Sequence, residues 1–297
     1  MKEKTIYALG FFDGVHLGHA ALLESCRDLA ARTGGKAGVV TFEGHPDTLV
    51  LGKTPALINT AADRKRLLTA AGMETVMTLP FDKKLMTMPW QAFIDNLLEQ
   101  GAAGFVCGND FRFGYKGEGT GEKLQELCAR KDLPCVIVPE QTVDGIRVSS
   151  THIRALLEQG DMEAAVKFLG HPHIFTGTVV SGRHIGRTIG VPTANLQLPE
   201  GLLVPKFGVY ACLACVGGEK YPAVTNIGTR PTVQGHHITV EPWILGFDGD
   251  LYGKELSLEF YKFLRPERKF DSLDALRAQI HQDAHETRSL FSEISIF

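Results

Sequence analysis

Four places in this sequence put together residue types that handle phosphorus. The first is Gly10-Phe-Phe-Asp-Gly-Val-His-Leu-Gly-His19, with three glycines, one carboxylate and two histidines. A strand that turns sharply into a helix offers free backbone N–H groups and a positive dipole end to an anion. The glycines let a phosphate come close, and His16 and His19 can aim imidazoles at it. The second is Arg147-Val-Ser-Ser-Thr-His-Ile-Arg154. One hydroxyl residue would suffice to cap the helical pattern that follows. Ser149, Ser150 and Thr151 in a row, with the forked charge of Arg154 one turn in, would suit a second phosphate-binding helix start. The third is Gly182-Arg-His-Ile-Gly-Arg-Thr-Ile-Gly190, followed directly by Val191-Pro-Thr-Ala-Asn195. It reads either as a surface turn or as a flap over phosphates, with Thr193 and Asn195 as hard oxygen ligands for Mg²⁺. The fourth is Glu241, next to Pro242 in the strand pattern 238–245. Ile238 and Val240 share one face there and Glu241 takes the other, as a solvated side chain or as a general base.

The elements that must position these residues differ between the two halves. From residue 1 to about 170, apolar β-like runs at 6–9, 37–42, 75–79, 104–107 and 135–138 alternate with helical patterns at 17–32, 61–71, 89–100 and 120–131. Continuous apolar strands alternating with helices predict a parallel sheet covered on both faces. Ligands of such sheets bind beyond the carboxyl ends of the strands. The 10–19, 41–46 and 108–114 stretches all follow strands, so they gather at one edge. A short helix at 162–169 closes this half, and His171-Pro-His173 reads as the hinge. Beyond it, short alternating runs at 175–180, 209–216, 221–226, 238–245 and 256–263 predict an antiparallel barrel or sandwich. An amphipathic helix at 272–291 ends the chain.

Composition narrows the partners. The chain has 297 residues, enough for about two domains at roughly 150 residues each. A net charge of −3 and a pI near 6.4 give no electrostatic case for nucleic acid or an anionic membrane. The amino terminus lacks the layout of a signal peptide, and no apolar run is long enough to span a bilayer. The six cysteines are scattered and mostly sit in apolar runs, as reduced thiols of a cytoplasmic protein do. Cys212 and Cys215 fall on a strand pattern that sends them to opposite faces, which argues against a zinc site.

The motifs together resemble the bifunctional riboflavin kinase/FMN adenylyltransferase family, the bacterial FAD synthetases. The 10–19 stretch is similar to that family's GxFDGxHxGH. Gly108-Asn-Asp-Phe-Arg-Phe-Gly114 resembles GxDFxFG, and 148–154 resembles SSTxIR. The 186–195 stretch resembles GRxxGxPTAN. Asn226-Ile-Gly-Thr-Arg-Pro-Thr232, Phe247-Asp-Gly-Asp-Leu-Tyr-Gly253 and Leu264-Arg-Pro-Glu-Arg-Lys-Phe270 follow in family order.

The resemblance implies a Rossmann-like nucleotidyltransferase domain over 1–170 and a six-stranded riboflavin kinase barrel over 171–297. The implied substrates are ATP, riboflavin and FMN, with Mg²⁺ carried on ATP; the oligomeric state stays open. In the first half it implies that Gly10, Phe11, Asp13, His16, Gly18 and His19 meet ATP, with His16 and His19 catalytic. Ser149, Ser150, Thr151 and Arg154 would hold the β and γ phosphates, and Asn109, Asp110, Phe111 and Phe113 the flavin. In the second half it implies Gly182, Gly186, Arg187 and Thr193 on ATP, Thr193 and Asn195 on the metal, and Glu241 as base. Three positions depart from the family pattern: Gly44 stands where proline is common, Gly246 where aspartate is frequent, and Pro242 removes a ladder donor, which suits an edge or bulged strand. A monofunctional adenylyltransferase would lack the motifs after residue 175. A flavin-binding regulatory protein would keep the motifs without turnover.

Overall fold

Val39 and Val40 of a single strand face opposite cores, and that alternation sets the architecture of the first half. The computed structural model describes residues 4–181, 190–232 and 235–293. They form two compact units, Met1–Ser150 and Thr151–Phe297. Strands β1 (Thr5–Leu9), β2 (Lys36–Phe42), β3 (Thr75–Leu79), β4 (Ala102–Gly108) and β5 (Cys135–Val138) make one parallel sheet in the order β3-β2-β1-β4-β5. Ile6, Ala8 and Val39 pack against Leu22, Leu23 and Cys26 of α1 (Leu17–Thr33). Tyr7, Leu9 and Val40 belong to a second cluster with Trp90, Phe93 and Leu97 of α5 (Trp90–Glu99). Both faces are covered, so the strands read as unbroken apolar runs. Strand order reverses beside β1, which places the loop after β1 at the topological switch point.

The remaining helices of this unit are α2 (Pro46–Val50), α3 (Ala61–Ala70), α4 (Lys83–Met86) and α6 (Gly121–Arg130). Two of them, α2 and α4, have no clear sequence signature, because at five and four residues they are too short to show a period. A small hairpin, β6 (Thr142–Val143) with β7 (Ile146–Arg147), leads into α7 (Ser150–Gln159) and α8 (Met162–Leu169).

The second unit is a closed antiparallel barrel. Its strands are β8 (His173–Val180), β9 (Asn195–Gln197), β10 (Gly208–Val216), β11 (Glu219–Thr232), β12 (Gly235–Ile244) and β13 (Glu255–Arg265), in the order β10-β11-β12-β9-β8-β13. The sequence pattern missed β9, a three-residue strand tied to β12 by the single pair Val240↔Leu196. Pro242 is therefore not on an open edge, as its chemistry suggested. Its carbonyl accepts from the Ala194 N–H at 2.9 Å, so its own nitrogen points the same way, toward the chain just before β9. The ladder with β9 has the single residue pair Val240↔Leu196, so the donor that Pro242 lacks removes no recorded pair. Gly246 has φ 82°, a left-handed turn that a glycine adopts without strain where an aspartate would resist. Cys212 is buried while the Cys215 thiol faces Glu259, so the two do lie on opposite faces of β10.

Helix α9 (Leu273–Glu293) lies along the outside of the barrel, with Ala284 packed among Val209 and Val224. Among the described residues, no helix is long and apolar enough to cross a membrane.

His173 corrects the hinge reading. It is the first residue of β8 and fully buried, its ring 5.9 Å from those of Phe175 and Phe260, and neither ring nitrogen has a partner. Burial, then the charge of His171, pushes its pKa down to about 3. The unfolded chain binds the proton below about 6.5 and the folded one does not, so stability falls as pH drops through that window. His173→Phe removes the proton linkage. Between pH 7 and pH 5 it is expected to lose about 2 kcal/mol less than the parent chain in denaturant unfolding.

Candidate active sites

The loop after β1 is built on two residues in an unusual backbone state. Phe12 (φ 61°) and Val15 (φ 41°) both adopt left-handed φ, which a β-branched valine resists, and both side chains are buried in the core. Burial of these apolar groups holds the strained turn. Asp13 is buried, and its Oδ1 accepts from the Ile58 N–H at 2.9 Å and the Asn59 N–H at 3.4 Å, so it buckles the loop to the segment before α3. His16 is the N-cap of α1, its Nδ1 accepting from the His19 N–H at 3.3 Å. The two imidazoles stack, with centroids 3.7 Å apart and planes 15° from parallel. A Cβ at Gly18 would lie 3.1 Å from the His16 ring, so glycine is what admits the stack.

His19 Nδ1 is sealed from solvent with no partner, which leaves Nε2 to meet a ligand. Burial holds the His19 pKa well below its usual value, and the charges of His16 and Arg64 push the same way. Ser150 reaches this loop directly, its Oγ donating to the Asp13 carbonyl at 2.9 Å. The Ser150 hydroxyl thus adjoins the 10–19 stretch, while Thr151 and Arg154 belong to the second unit.

Beside the loop lies a cavity of ≈ 920 Å³ lined by Phe11, Phe42, Phe81, Phe93, Phe111 and Phe113, among others. A wall this rich in aromatic rings suits a planar ring system. Asn109 and Asp110, expected with Phe111 and Phe113, are exposed and are not part of that wall. Asp110 instead pairs with Arg147 at 2.5 Å, tying the 108–114 loop to the β6–β7 hairpin. Arg64, which the sequence reading passed over, is buried on α3. Its guanidinium lies 4.3 Å from the Phe11 ring centroid and donates to the Phe42 carbonyl at 2.6 Å. The signal was available: Arg64 and Leu68 are four apart on one helix face, and a charge on a core-facing stripe is unusual.

In the barrel, Thr193 lines two cavities. One, of ≈ 750 Å³, also takes Pro192, Pro242, Phe247, Asp248 and Asp250; the other, of ≈ 330 Å³, takes Asn226, Glu241, Trp243, Glu267 and Ile280. Neighbouring residues on a strand point opposite ways, so Glu241 faces one chamber and Pro242 the other. Thr193 stands where the two adjoin. Asn195 opens β9 two residues on. Gly182, Gly186 and Arg187 lie outside the described residues. Among the described residues, no group of three or more His, Cys, Asp or Glu side chains could hold a metal ion. The donors present, a hydroxyl and an amide, fit a hard cation that arrives on nucleotide phosphates and takes most of its ligands from them and from water.

The Arg265–Asp283 ion pair fastens α9 beside the smaller chamber. Arg265 Nε lies 3.1 Å and 3.0 Å from the two carboxylate oxygens of Asp283, and Nη2 lies 2.8 Å from Oδ2. Asp283 is only 3% exposed. Asp283→Ala strands a half-buried guanidinium. It is expected to cost about 3 kcal/mol, read as a lower melting temperature of the full chain.

Known proteins resemble the chain along its whole length. The family model described as FAD synthetase matches residues 1–152, and the one described as riboflavin kinase matches 169–291. The bifunctional riboflavin kinase/FMN adenylyltransferase of Escherichia coli is 37% identical, over 98% of this chain and 94% of its own. That of Listeria monocytogenes is 35% identical, over 97% and 93%. A crystal structure from Streptococcus pneumoniae, described as a macrolide-efflux protein, superposes with a TM-score of 0.88 at 32% identity, over 97% of this chain and 95% of that one.

Proposed function

The chain belongs to the bifunctional riboflavin kinase/FMN adenylyltransferase family, and on that premise we propose which residues carry each of its two reactions. The barrel moves the γ-phosphoryl group of ATP to the 5′-hydroxyl of riboflavin, giving FMN and ADP. The parallel-sheet unit then moves the adenylyl group of ATP to FMN, giving FAD and pyrophosphate. We assign residues 1–170 to the second reaction and 171–297 to the first, in a cytoplasmic enzyme.

The observation that carries the kinase half is the shared position of Thr193 between two chambers. ATP occupies the larger one with its γ-phosphate at Thr193, and riboflavin occupies the smaller one with its terminal hydroxyl at Glu241. Glu241 takes the hydroxyl proton as the oxygen attacks phosphorus. Mg²⁺, when bound, neutralises charge on the transferring phosphoryl group; Thr193 and Asn195 would be its protein ligands.

In the adenylyl half no covalent nucleophile is required. The FMN phosphate attacks the α-phosphorus, and positioning plus charge stabilisation lower the barrier. The flavin ring takes the aromatic cavity at Phe11, Phe111 and Phe113, and the ATP phosphates take the loop at Gly10 and Gly18, with His16 and His19 beside the α-phosphate. Ser149 and Ser150 hold the leaving pyrophosphate. Arg64 and Asp13 keep the loop in place.

Product analysis with riboflavin, ATP and Mg²⁺ tests the whole reading. FMN first and FAD after it is the expected order. Flavin bound tightly with no product would instead mark a regulatory protein, and FAD from FMN without FMN from riboflavin would mark a monofunctional transferase. Replacing Mg²⁺ by other divalent ions in the same assay tests the metal.

A further inference from the structure

The wall of the smaller barrel chamber is graded from apolar to polar along its own strands. Paired residues on β11 and β12 present two successive rungs to it, Val224↔Trp243 and then Asn226↔Glu241, and Gly228↔Thr239 is the next rung on the same strand face, just beyond the lining. Rungs on one face are two residues apart, about 6.8 Å. The apolar rung continues into Val209 and into Leu276 and Ile280 of α9. At the Gly228 rung no side chain rises from the strand, and the Glu267 carboxylate lies there instead. A Cβ on Gly228 would come within 2.8 Å of the Glu267 Cδ. Asn226 Nδ2 donates to Glu267 Oε1 at 3.1 Å.

The segment that carries Glu267 is anchored on both sides. Arg265 grips Asp283 of α9 with three hydrogen bonds, and Arg268 donates to Gln279 of the same helix. Arg268 also lies 4.7 Å from the Phe270 ring centroid. Glu267 is thus an exposed carboxylate on a braced loop, directed onto a chamber wall.

We propose that Glu267, braced by Asn226 over the bare backbone of Gly228, reads the hydroxyl tail of the flavin and is a specificity-determining residue of the kinase site. The inference rests on the kinase reading above. An ionised carboxylate only accepts hydrogen bonds, and the polyol tail of riboflavin is a row of donors. One oxygen of Glu267 takes Asn226, so the other is left to take a tail hydroxyl while Glu241 takes the terminal one. The tricyclic ring sits on the apolar rung, where neither carboxylate meets it. A site built to pair a hydroxyl discriminates strongly against a ligand that lacks one.

The test uses the full chain and follows FMN formation, reading the KM for riboflavin and the Ki of lumiflavin, a flavin ring without the hydroxyl tail. Glu267→Ala is expected to raise the KM tenfold or more and to leave the lumiflavin Ki within twofold. Gly228→Ala, whose added Cβ displaces the carboxylate without altering its chemistry, likewise raises the KM and leaves the lumiflavin Ki within twofold. Glu267→Gln keeps an acceptor oxygen and loses less. Adenylylation of supplied FMN stays at the parent rate in all three, and a kcat for FMN formation at saturating riboflavin within a few-fold of the parent reports that the barrel is folded. A KM unchanged in Glu267→Ala, a Ki that rises with the KM, or no lumiflavin inhibition of the parent chain would each overturn the proposal. A parent chain that makes no FMN from riboflavin would overturn the kinase reading itself, whereas FMN production with an unmoved KM removes Glu267 alone.

Discussion

Glu241→Gln makes almost no FMN from riboflavin yet turns supplied FMN into FAD at the parent rate. Glutamine keeps the size and the cross-strand pairing of residue 241 with Asn226, so the wall of the chamber is preserved. Only the ability to take a proton is lost, and deletion of a general base costs roughly 10²–10⁴-fold. The loss should fall on kcat with little change in the riboflavin KM, because the amide can still accept a hydrogen bond from the terminal hydroxyl. Chromatographic separation of riboflavin, FMN and FAD over time, with either flavin as the starting substrate, measures both halves in one experiment. A kinase rate within a few-fold of the parent would remove Glu241 from the chemistry.

How far the sequence could be read differs between the halves for physical reasons. Continuous apolar runs locate all five parallel strands, since burial on both faces forces such runs. The barrel strands show as alternation, and α9 shows its period over several turns. The short elements α2, α4, β6, β7 and β9 have neither an unbroken apolar run nor enough residues to show a period, so they emerge only from the structure. Among site residues, His16, His19 and Glu241 stand out because chemistry and spacing coincide. Arg64 and Glu267 do not, because each acts from an element that is remote in sequence: Arg64 from α3 onto Phe11, Glu267 from the loop after β13 onto β11. Nothing in the local sequence announces a contact across about 40 or 50 residues; only the closed fold makes it. Asp13 shows the converse. Its place between glycines suggests a ligand, while the structure gives its Oδ1 to two backbone amides of the 58–59 segment.

The second large effect is expected at the loop after β1. His19→Ala should leave riboflavin phosphorylation intact and slow FAD formation roughly 10²–10³-fold, the cost of deleting one preorganised donor to a charged centre. FMN then accumulates. The argument turns on the protonation state. Burial, helped by the positive potential of His16 and Arg64, keeps His19 neutral well below its usual pKa. With Nδ1 sealed, the neutral ring offers Nε2 as a hydrogen-bond partner to phosphate across the physiological range. The rate of FAD formation should therefore show no titration of His19 between pH 6 and pH 8. The same depression links to stability with a definite sign. The unfolded chain takes up a proton on this side chain below about pH 6.5 while the folded chain resists it, so folding weakens as pH falls through that point. His19→Ala removes this linkage, and the variant should lose less stability than the parent between pH 7 and pH 5 even as its adenylylation fails. An enzyme slowed by global unfolding would show the opposite pairing, lower activity with greater acid sensitivity. Parallel measurement of FAD formation and denaturant unfolding at the two pH values separates the two outcomes.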